Sequence, residues 1–475
     1  MIVYVMQSRR SSMIFSSEIF LFIFLPLTII IYFLSGKFKN IALLVVSLLF
    51  YAWGEPVYIL LMLGSVCANY IFGLVIEHTI LCPSAFSRHI DFKSLFLTVA
   101  CAVNLLLLGL FKYTSFVISN LNTLGIAVSD PNIELPIGIS FYTFQSMSYI
   151  IDVYKGKVSA QKSILKLGLY ISMFPQLIAG PIVRYSDVEC EINHRHTSLE
   201  DFYEGTRRFM LGFSKKILIA DNVGKIADAA FSMNDISMNM AWLGALAYAL
   251  QIYFDFSGYS DMAIGLGRIF GFHFLENFDY PYISKSIQEF WRRWHMSLGG
   301  WFRDYVYIPL GGSRCPETRV CLNLFIVFFL TGLWHGASWN FVVWGVWYAM
   351  FLIFERFVKK RYRAVQFPSV VQHIYTILVI VIGWVFFRAE SCRAAFTYIG
   401  AMFSFRFDNS PIICISLECF VMLMIGSILS MPVCQILFKN KCMRLFQDVL
   451  VTVCFIMGIL YMVGNGFSPF LYFRF

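Results

Sequence analysis

Apolar runs of spanning or near-spanning length recur along almost the whole chain, near 19–34, 41–53, 57–76, 95–111, 137–151, 164–183, 240–269, 320–333, 341–357, 374–387, 411–431 and 449–464. A helix takes ~20 apolar residues to cross the hydrocarbon of a bilayer, so the pattern predicts roughly ten to twelve membrane-embedded helices. Several runs are too short to span and read as re-entrant or tilted, which is tolerated only where protein or water covers the backbone. Of 475 residues, 59% are hydrophobic and 14% charged. Soluble domains carry about 25% charged residues, and too few remain here to coat a water-facing surface. The expected fold is all-α: a polytopic integral membrane protein with re-entrant and interfacial helices.

The net charge of +9 does not point to nucleic acid. Basic residues cluster beside apolar runs, at Lys37 and Lys39, in "RFVKKRYR" (356–363), and at Lys439, Lys441 and Arg444. That is the positive-inside pattern, which marks those loops as cytoplasmic. No basic stripe is interleaved with stacking aromatics, so the expected surroundings are membrane lipid. The 12 cysteines form no CxxC pair and lie mostly within apolar runs, as small core residues. The eight histidines show no HExxH or similar spacing, so no metal site is expected. Residues 1–12, "MIVYVMQSRRSS", read as an extension before Met13. Arg9 and Arg10 resemble a signal-peptide n-region, but the following run ends without an A-x-A-like site, so the first span is expected to be retained. Residues 13–475 then form one membrane domain. Without an internal repeat, it lacks the usual signature of an inverted-repeat transporter.

Two stretches depart from the apolar background. Residues 184–239 are polar, and "EGTRRFMLGFSKKILIADNVGK" reads as an amphipathic basic helix at the cytoplasmic interface. Residues 251–345 concentrate polar and aromatic groups. There, "TGLWHGASWN" (331–340) places His335 between two apolar runs. An ionisable residue at membrane depth is a functional-site hypothesis by default. With basic residues at both outer ends, the two runs form a hairpin whose tip holds His335, about 24 Å from Arg319 by helical rise. Gly332 and Gly336 allow a turn or a close approach, and Ser338 and Asn340 can hydrogen-bond or cap the second helix. Burial disfavours the imidazolium, leaving a ring competent as a general base for a hydroxyl. A structural histidine bonded between helices is the other reading. His295, in "WRRWHMSLGGWFRDY", is the second candidate, as an active-site group or as an interfacial histidine. His273 in "GFHFLENF" reads as packing. Asp255 and Asp261 lie about 240° apart on a helix, so they do not form an acid pair; each is expected to pair with an arginine of the basic segments.

The motifs "GISFYTFQSMSYIIDVYKG" (138–156), "FPQLIAGPIVRY" (174–185), "YFDFSGYSDMAIGLGRIFGF" (253–272), "YISKSIQEFWRRWHMSLGGWFRDYVYIPLGGSR" (282–314), "FLTGLWHGASWNFVVWG" (329–345) and "WVFFRAE" (384–390) occur in this order. Together they resemble the membrane-bound O-acyltransferases (MBOAT), in particular the alginate O-acetylase-like branch, from about Met13 to the closing "SPFLYFRF". Gly299, Gly300 and Asp279 depart from that pattern without touching a histidine. The resemblance implies helices around a central funnel or tunnel, with His335 as the catalytic histidine and His295 as the second one of the active site. It implies acetyl transfer from a cytoplasmic thioester, acetyl-CoA or another, to an exported or capsular polysaccharide. The setting would be the bacterial inner membrane, with a secreted or membrane-tethered acetyltransferase as partner. Trp334, Asn340, Arg303 and Asp304 are the candidate substrate-binding residues, and His295, Asn340 or a tryptophan N–H the candidate oxyanion donors. Direct attack assisted by His335 and a transient acyl-protein intermediate both fit. Acyl or D-alanyl transfer to teichoic acid, lipid or protein is the enzymatic alternative, and a solute carrier the non-enzymatic one.

Overall fold

The computed structural model describes residues 15–81, 91–178, 180–361, 367–408, 415–433, 443–465, 470 and 471. The extension 1–12, Met13, His89, Arg363, Lys439, Lys441 and most of "SPFLYFRF" lie outside the described residues. Among the described residues the regular structure is helical, with no strand. Seven helices are long and apolar enough to cross a membrane: Gly36–Gly54, Ile59–Thr79, Phe92–Thr123, Glu317–His335, Trp339–Arg361, Ser369–Arg388 and Arg444–Gly464. Phe20–Leu34 and Leu417–Leu429 are shorter apolar helices. The chain is a multi-pass membrane protein.

Three of the apolar runs belong to other, largely buried helices, the run 164–183 through Ile164–Ser172 and Phe174–Leu177. Ile139–Tyr154 buries nearly every side chain, Gln145, Ser146 and Asp152 included. Met238–Ile269 carries Asp255 and Asp261 buried. Such polar faces are stable only where protein covers them.

The described chain divides into two compact units. The first comprises Met1–Thr206 with Met262–Leu275. Its core is aromatic: Phe15, Phe20, Phe24, Phe50, Phe174 and Phe270 make a continuous series of ring contacts. Asn69 and Asn104, on successive spans, donate to each other at 3.1 and 2.8 Å. That reciprocal amide pair is the polar link expected between helices that gain little from apolar contact in lipid. His273 is exposed, and its Nδ1 pairs with Glu191 at 2.7 Å. The sequence reading of it as packing is corrected, because the ring finds a carboxylate at the surface.

The second unit comprises Arg207–Asp261 with Glu276–Phe475. Here the basic segment is tied to carboxylates of its own unit. Lys216 is buried, and its Nζ lies 2.7 Å from both Asp221 and Asp255. Asp261 takes Arg208 at 2.7 Å and Lys215 at 2.6 Å. Opposite charges within the unit compensate these cations. Asp261 thus finds the expected arginine, whereas the partner of Asp255 is a lysine. This unit also contains His295 and His335.

Candidate active site

His335 is the last residue of the helix Glu317–His335. The chain turns through Gly336–Ser338 and returns as the helix Trp339–Arg361, giving the expected hairpin. Glycines let its two backbones touch. A Cβ on Gly332 would lie 2.3 Å from the Phe341 carbonyl oxygen, and one on Gly345 would lie 2.3 Å from that of Phe328. Gly336 has an extended backbone open to any residue. Glycine is needed there because a Cβ would meet the Phe341 ring at 2.2 Å. At the other end, Glu317 pairs with Arg356 and Lys360. The 19 residues between these ties rise about 28 Å, so the charged base and His335 stand nearly a hydrocarbon thickness apart.

The His335 imidazole is buried. Trp334, Trp344 and Phe387 surround it with ring centroids at 5.0, 5.1 and 5.2 Å, each near perpendicular. Phe387 comes from a third helix, Ser369–Arg388. Asn340 fastens that helix to the hairpin: its Nδ2 donates to the carbonyls of Ala389 at 2.8 Å and Phe386 at 3.3 Å. Its Oδ1 accepts from Ser338. The Asn340 amide N–H groups therefore satisfy helix-terminal carbonyls. In this structure Asn340, one of the candidate oxyanion donors, anchors the third helix to the hairpin.

His295 is also buried, at the N-terminus of the helix Met296–Phe302, in the left-handed region with φ 45°. Phe256 and Phe278 flank it at 4.6 and 6.5 Å, and Trp334 lies at 6.2 Å. Trp334 thus contacts both histidines. Burial pulls the His295 imidazole down to about 3, so the ring is neutral. Its tautomer follows from the hydrogen bonds. The backbone N–H of Ser297 donates to the side-chain atom of Asn277 at 3.2 Å, which makes that atom the carbonyl oxygen Oδ1. His295 Nδ1 lies 3.1 Å from the same oxygen and must carry the proton. Nε2 is left with a lone pair, buried and with no hydrogen-bond partner among the described residues. In this tautomer the neutral ring presents an acceptor at Nε2.

Sequence reasoning missed Asn277, Ser260, Ser297, Trp344 and Phe387. Arg303 and Asp304 pair with each other, Nε to Oδ1 at 2.7 Å, and Arg303 is exposed. Among the described residues no cluster of His, Cys, Asp and Glu could hold a metal.

These features define a class: a multi-pass helical protein that buries two imidazoles among aromatic rings. Comparison with known proteins makes the class specific. The model of MBOAT, the membrane-bound O-acyltransferase family, matches residues 158–396. The chain is 46% identical over 399 residues to the probable alginate O-acetylase AlgI of Pseudomonas aeruginosa, covering 83% of this chain and 75% of that one. It is 36% identical over 427 residues to the peptidoglycan O-acetyltransferase of Helicobacter pylori, covering 82% and 80%. It is 32% identical over 237 residues to the teichoic acid D-alanyltransferase of Bacillus subtilis, covering 47% and 60%. The chain belongs to the membrane-bound O-acyltransferase family and is an O-acyltransferase.

Proposed function

We propose that this protein takes an acetyl group from a thioester on the cytoplasmic side of the bacterial inner membrane, acetyl-CoA or another, for O-acetylation of an exported polysaccharide. An alginate-like or capsular polymer is the acceptor class. The observation that carries this reading is the pair of buried histidines meeting on Trp334, in a chain so similar to alginate and peptidoglycan O-acetylating proteins. His335 removes the proton of the hydroxyl that first receives the acyl group, before the partner passes that group to the polymer, as its oxygen attacks the acyl carbonyl. The new C–O bond forms, the C–S bond breaks, and the proton passes from the imidazole to the departing thiolate. The aromatic walls exclude water, which would otherwise compete as acceptor. His295 Nε2 accepts a hydrogen bond from the substrate, and Trp334 lines the space between the rings.

The described regular structure is helical, and much of it spans the membrane. That supports a division of labour, with a secreted or membrane-tethered acetyltransferase completing transfer to the polymer. Purified protein in vesicles, with acetyl-CoA on one side only, tests this: acetylated polymer made by the protein alone would remove the need for a partner. Similarity to a teichoic acid D-alanyltransferase favours D-alanyl transfer as the second reading. A deletion strain complemented with wild type or His335→Ala decides between them. Acetate, not D-alanine, should be released from the wild-type polymer by mild base. The variant should insert normally and lose about 10²-fold or more of the activity. Wild-type acetylation by His335→Ala would overturn the assignment.

A further inference from the structure

The geometry points to Asn277 as a positioning residue for the reaction: it holds His295 in the Nδ1–H tautomer, so that Nε2 faces the substrate as an acceptor for an O–H or N–H donor. This rests on the proposed reading that His295 belongs to the active site.

Asn277 binds the 295–297 turn through both its backbone and its side chain. Its backbone carbonyl accepts from Met296 N at 2.9 Å. Its Oδ1 accepts from Ser297 N at 3.2 Å, Ser297 Oγ at 2.9 Å and His295 Nδ1 at 3.1 Å. Its Nδ2 lies 2.9 Å from Ser260 Oγ and donates to it; the Ser297 N–H, which can only donate, is what fixes the amide's orientation. Every polar atom of this buried side chain is committed, and three donors converge on one oxygen. The neighbouring stretch keeps the same register, with Asp279 N donating to Arg293 O at 3.0 Å. His295 itself sits at φ 45°, a region that L residues enter only when their surroundings over-determine it. A left-handed residue whose backbone neighbours and ring are all tied to one asparagine is held for its direction. The direction delivered is that of Nε2, which is buried and has no hydrogen-bond partner among the described residues.

The groups facing His295 are Phe256, Asn277, Phe278, Ser297 and Trp334. None of them titrates near neutrality, so a new charge placed at 277 would act on the ring without competition. Asn277→Asp keeps the acceptor oxygen and the volume, and adds a negative charge that favours the imidazolium. Asn277→Leu removes the acceptor and frees the tautomer.

The test uses full-length protein labelled with [15N]histidine in lipid, with the His295 signals identified by their loss in His295→Ala. Solid-state 15N spectra should show Nδ1 protonated and Nε2 bare in the wild type down to pH 5. Both tautomers should appear in Asn277→Leu. In Asn277→Asp the ring should become doubly protonated at least one pH unit higher than in the wild type. Acetyl-CoA turnover in membranes should fall roughly 10²-fold in kcat for Asn277→Leu, the lower range of what positioned proton transfer contributes, with KM changed less than threefold. Asn277→Asp should keep turnover at high pH and gain an acidic limb. A bare Nδ1 in the wild type would overturn the proposal. So would wild-type turnover in Asn277→Leu alongside loss in His295→Ala, or an unshifted pH profile in Asn277→Asp. Wild-type turnover in His295→Ala would instead overturn the active-site reading beneath it. Asn277→Asp keeps the proposal testable if Asn277→Leu fails to fold.

Discussion

Adding one methyl group at Gly332 should disarm the protein without touching a histidine. The Cβ of alanine there would lie 2.3 Å from the Phe341 carbonyl oxygen and 3.2 Å from its carbon. Carbon–oxygen contacts settle near 3.3–3.6 Å, so the hairpin helices must part by about 1 Å. The obstructing atoms are backbone, which has no rotamer to escape into. Overpacking of this kind costs about 1–3 kcal/mol. His335 lies three residues on, less than one turn away, so the parting carries its ring off the Trp344 and Phe387 walls. A shift of about 1 Å at a reacting group is worth roughly 10²-fold in rate. Gly332→Ala should therefore lower the thermal midpoint of the extracted protein by a few degrees and lose most polysaccharide acetylation. Gly345→Ala meets the Phe328 carbonyl at the same 2.3 Å from the opposite helix. Once the helices have parted for one methyl, the second meets less resistance, so the double variant should lose less than the sum of the two. A wild-type midpoint with full acetylation in Gly332→Ala would refute the view that this backbone contact sets His335.

Three further outcomes are expected. The imidazole of His295 is pulled from about 6.5 down to about 3, so between those values the unfolded chain binds a proton that the folded chain does not. Its share of stability is complete above pH 6.5 and falls by about 1.4 kcal/mol per pH unit on acidification. The advantage of wild type over His295→Gln in thermal midpoint should shrink from pH 7 to pH 4, and parallel curves would contradict this. Lys216→Met should destabilise more than Asp221→Asn, because Lys216 neutralises both Asp221 and Asp255, and a lost cation leaves buried carboxylates uncompensated; a reversed order of extraction yields would count against it. Lys359→Cys in a cysteine-depleted background should label from the cytoplasmic side only, since it lies at the charged end of the hairpin; external labelling would invert the topology.

The hairpin was legible in the sequence because its signal is local. Two apolar runs, basic flanks and glycines around a histidine lie within 50 residues, and helical rise alone sets the depth. The direction of the basic segment 204–225 was not legible. An amphipathic helix shows the same periodicity whether its cations face lipid headgroups or carboxylates on another helix. Only packing reveals that Lys216 turns to Asp255, 39 residues on. Asn277 escaped for a similar reason. It lies 18 residues before His295, in a loop without periodicity, and its neighbour Asp279 drew notice only as a departure from the family pattern. Phe387 reaches His335 from a third helix, and nothing in "WVFFRAE" says which of its aromatic rings turns toward the histidine. Residue type identified both histidines, whereas their orientation depends on contacts that no spacing rule encodes.

The two histidines are held by different means, and the difference bears on mechanism. His335 takes its place from helix ends: a glycine contact below it, and the Asn340 bonds to Ala389 and Phe386 beside it. Helix ends move as units, so strain at the hairpin reaches this ring directly. His295 takes its place from a single residue, Asn277, acting through backbone and side chain on a three-residue turn. That arrangement fixes which nitrogen carries the proton and is insensitive to small helix shifts. Within the same unit, the carboxylates of Asp255 and Asp261 are matched by cations, while the His295 cluster contains only neutral groups. A neutral acceptor set among aromatic rings can bind an uncharged donor group without requiring a counter-ion in a medium that solvates none. Under the proposed mechanism, charge need then arise only as the acyl carbonyl is attacked, at the His335 ring whose position the hairpin controls.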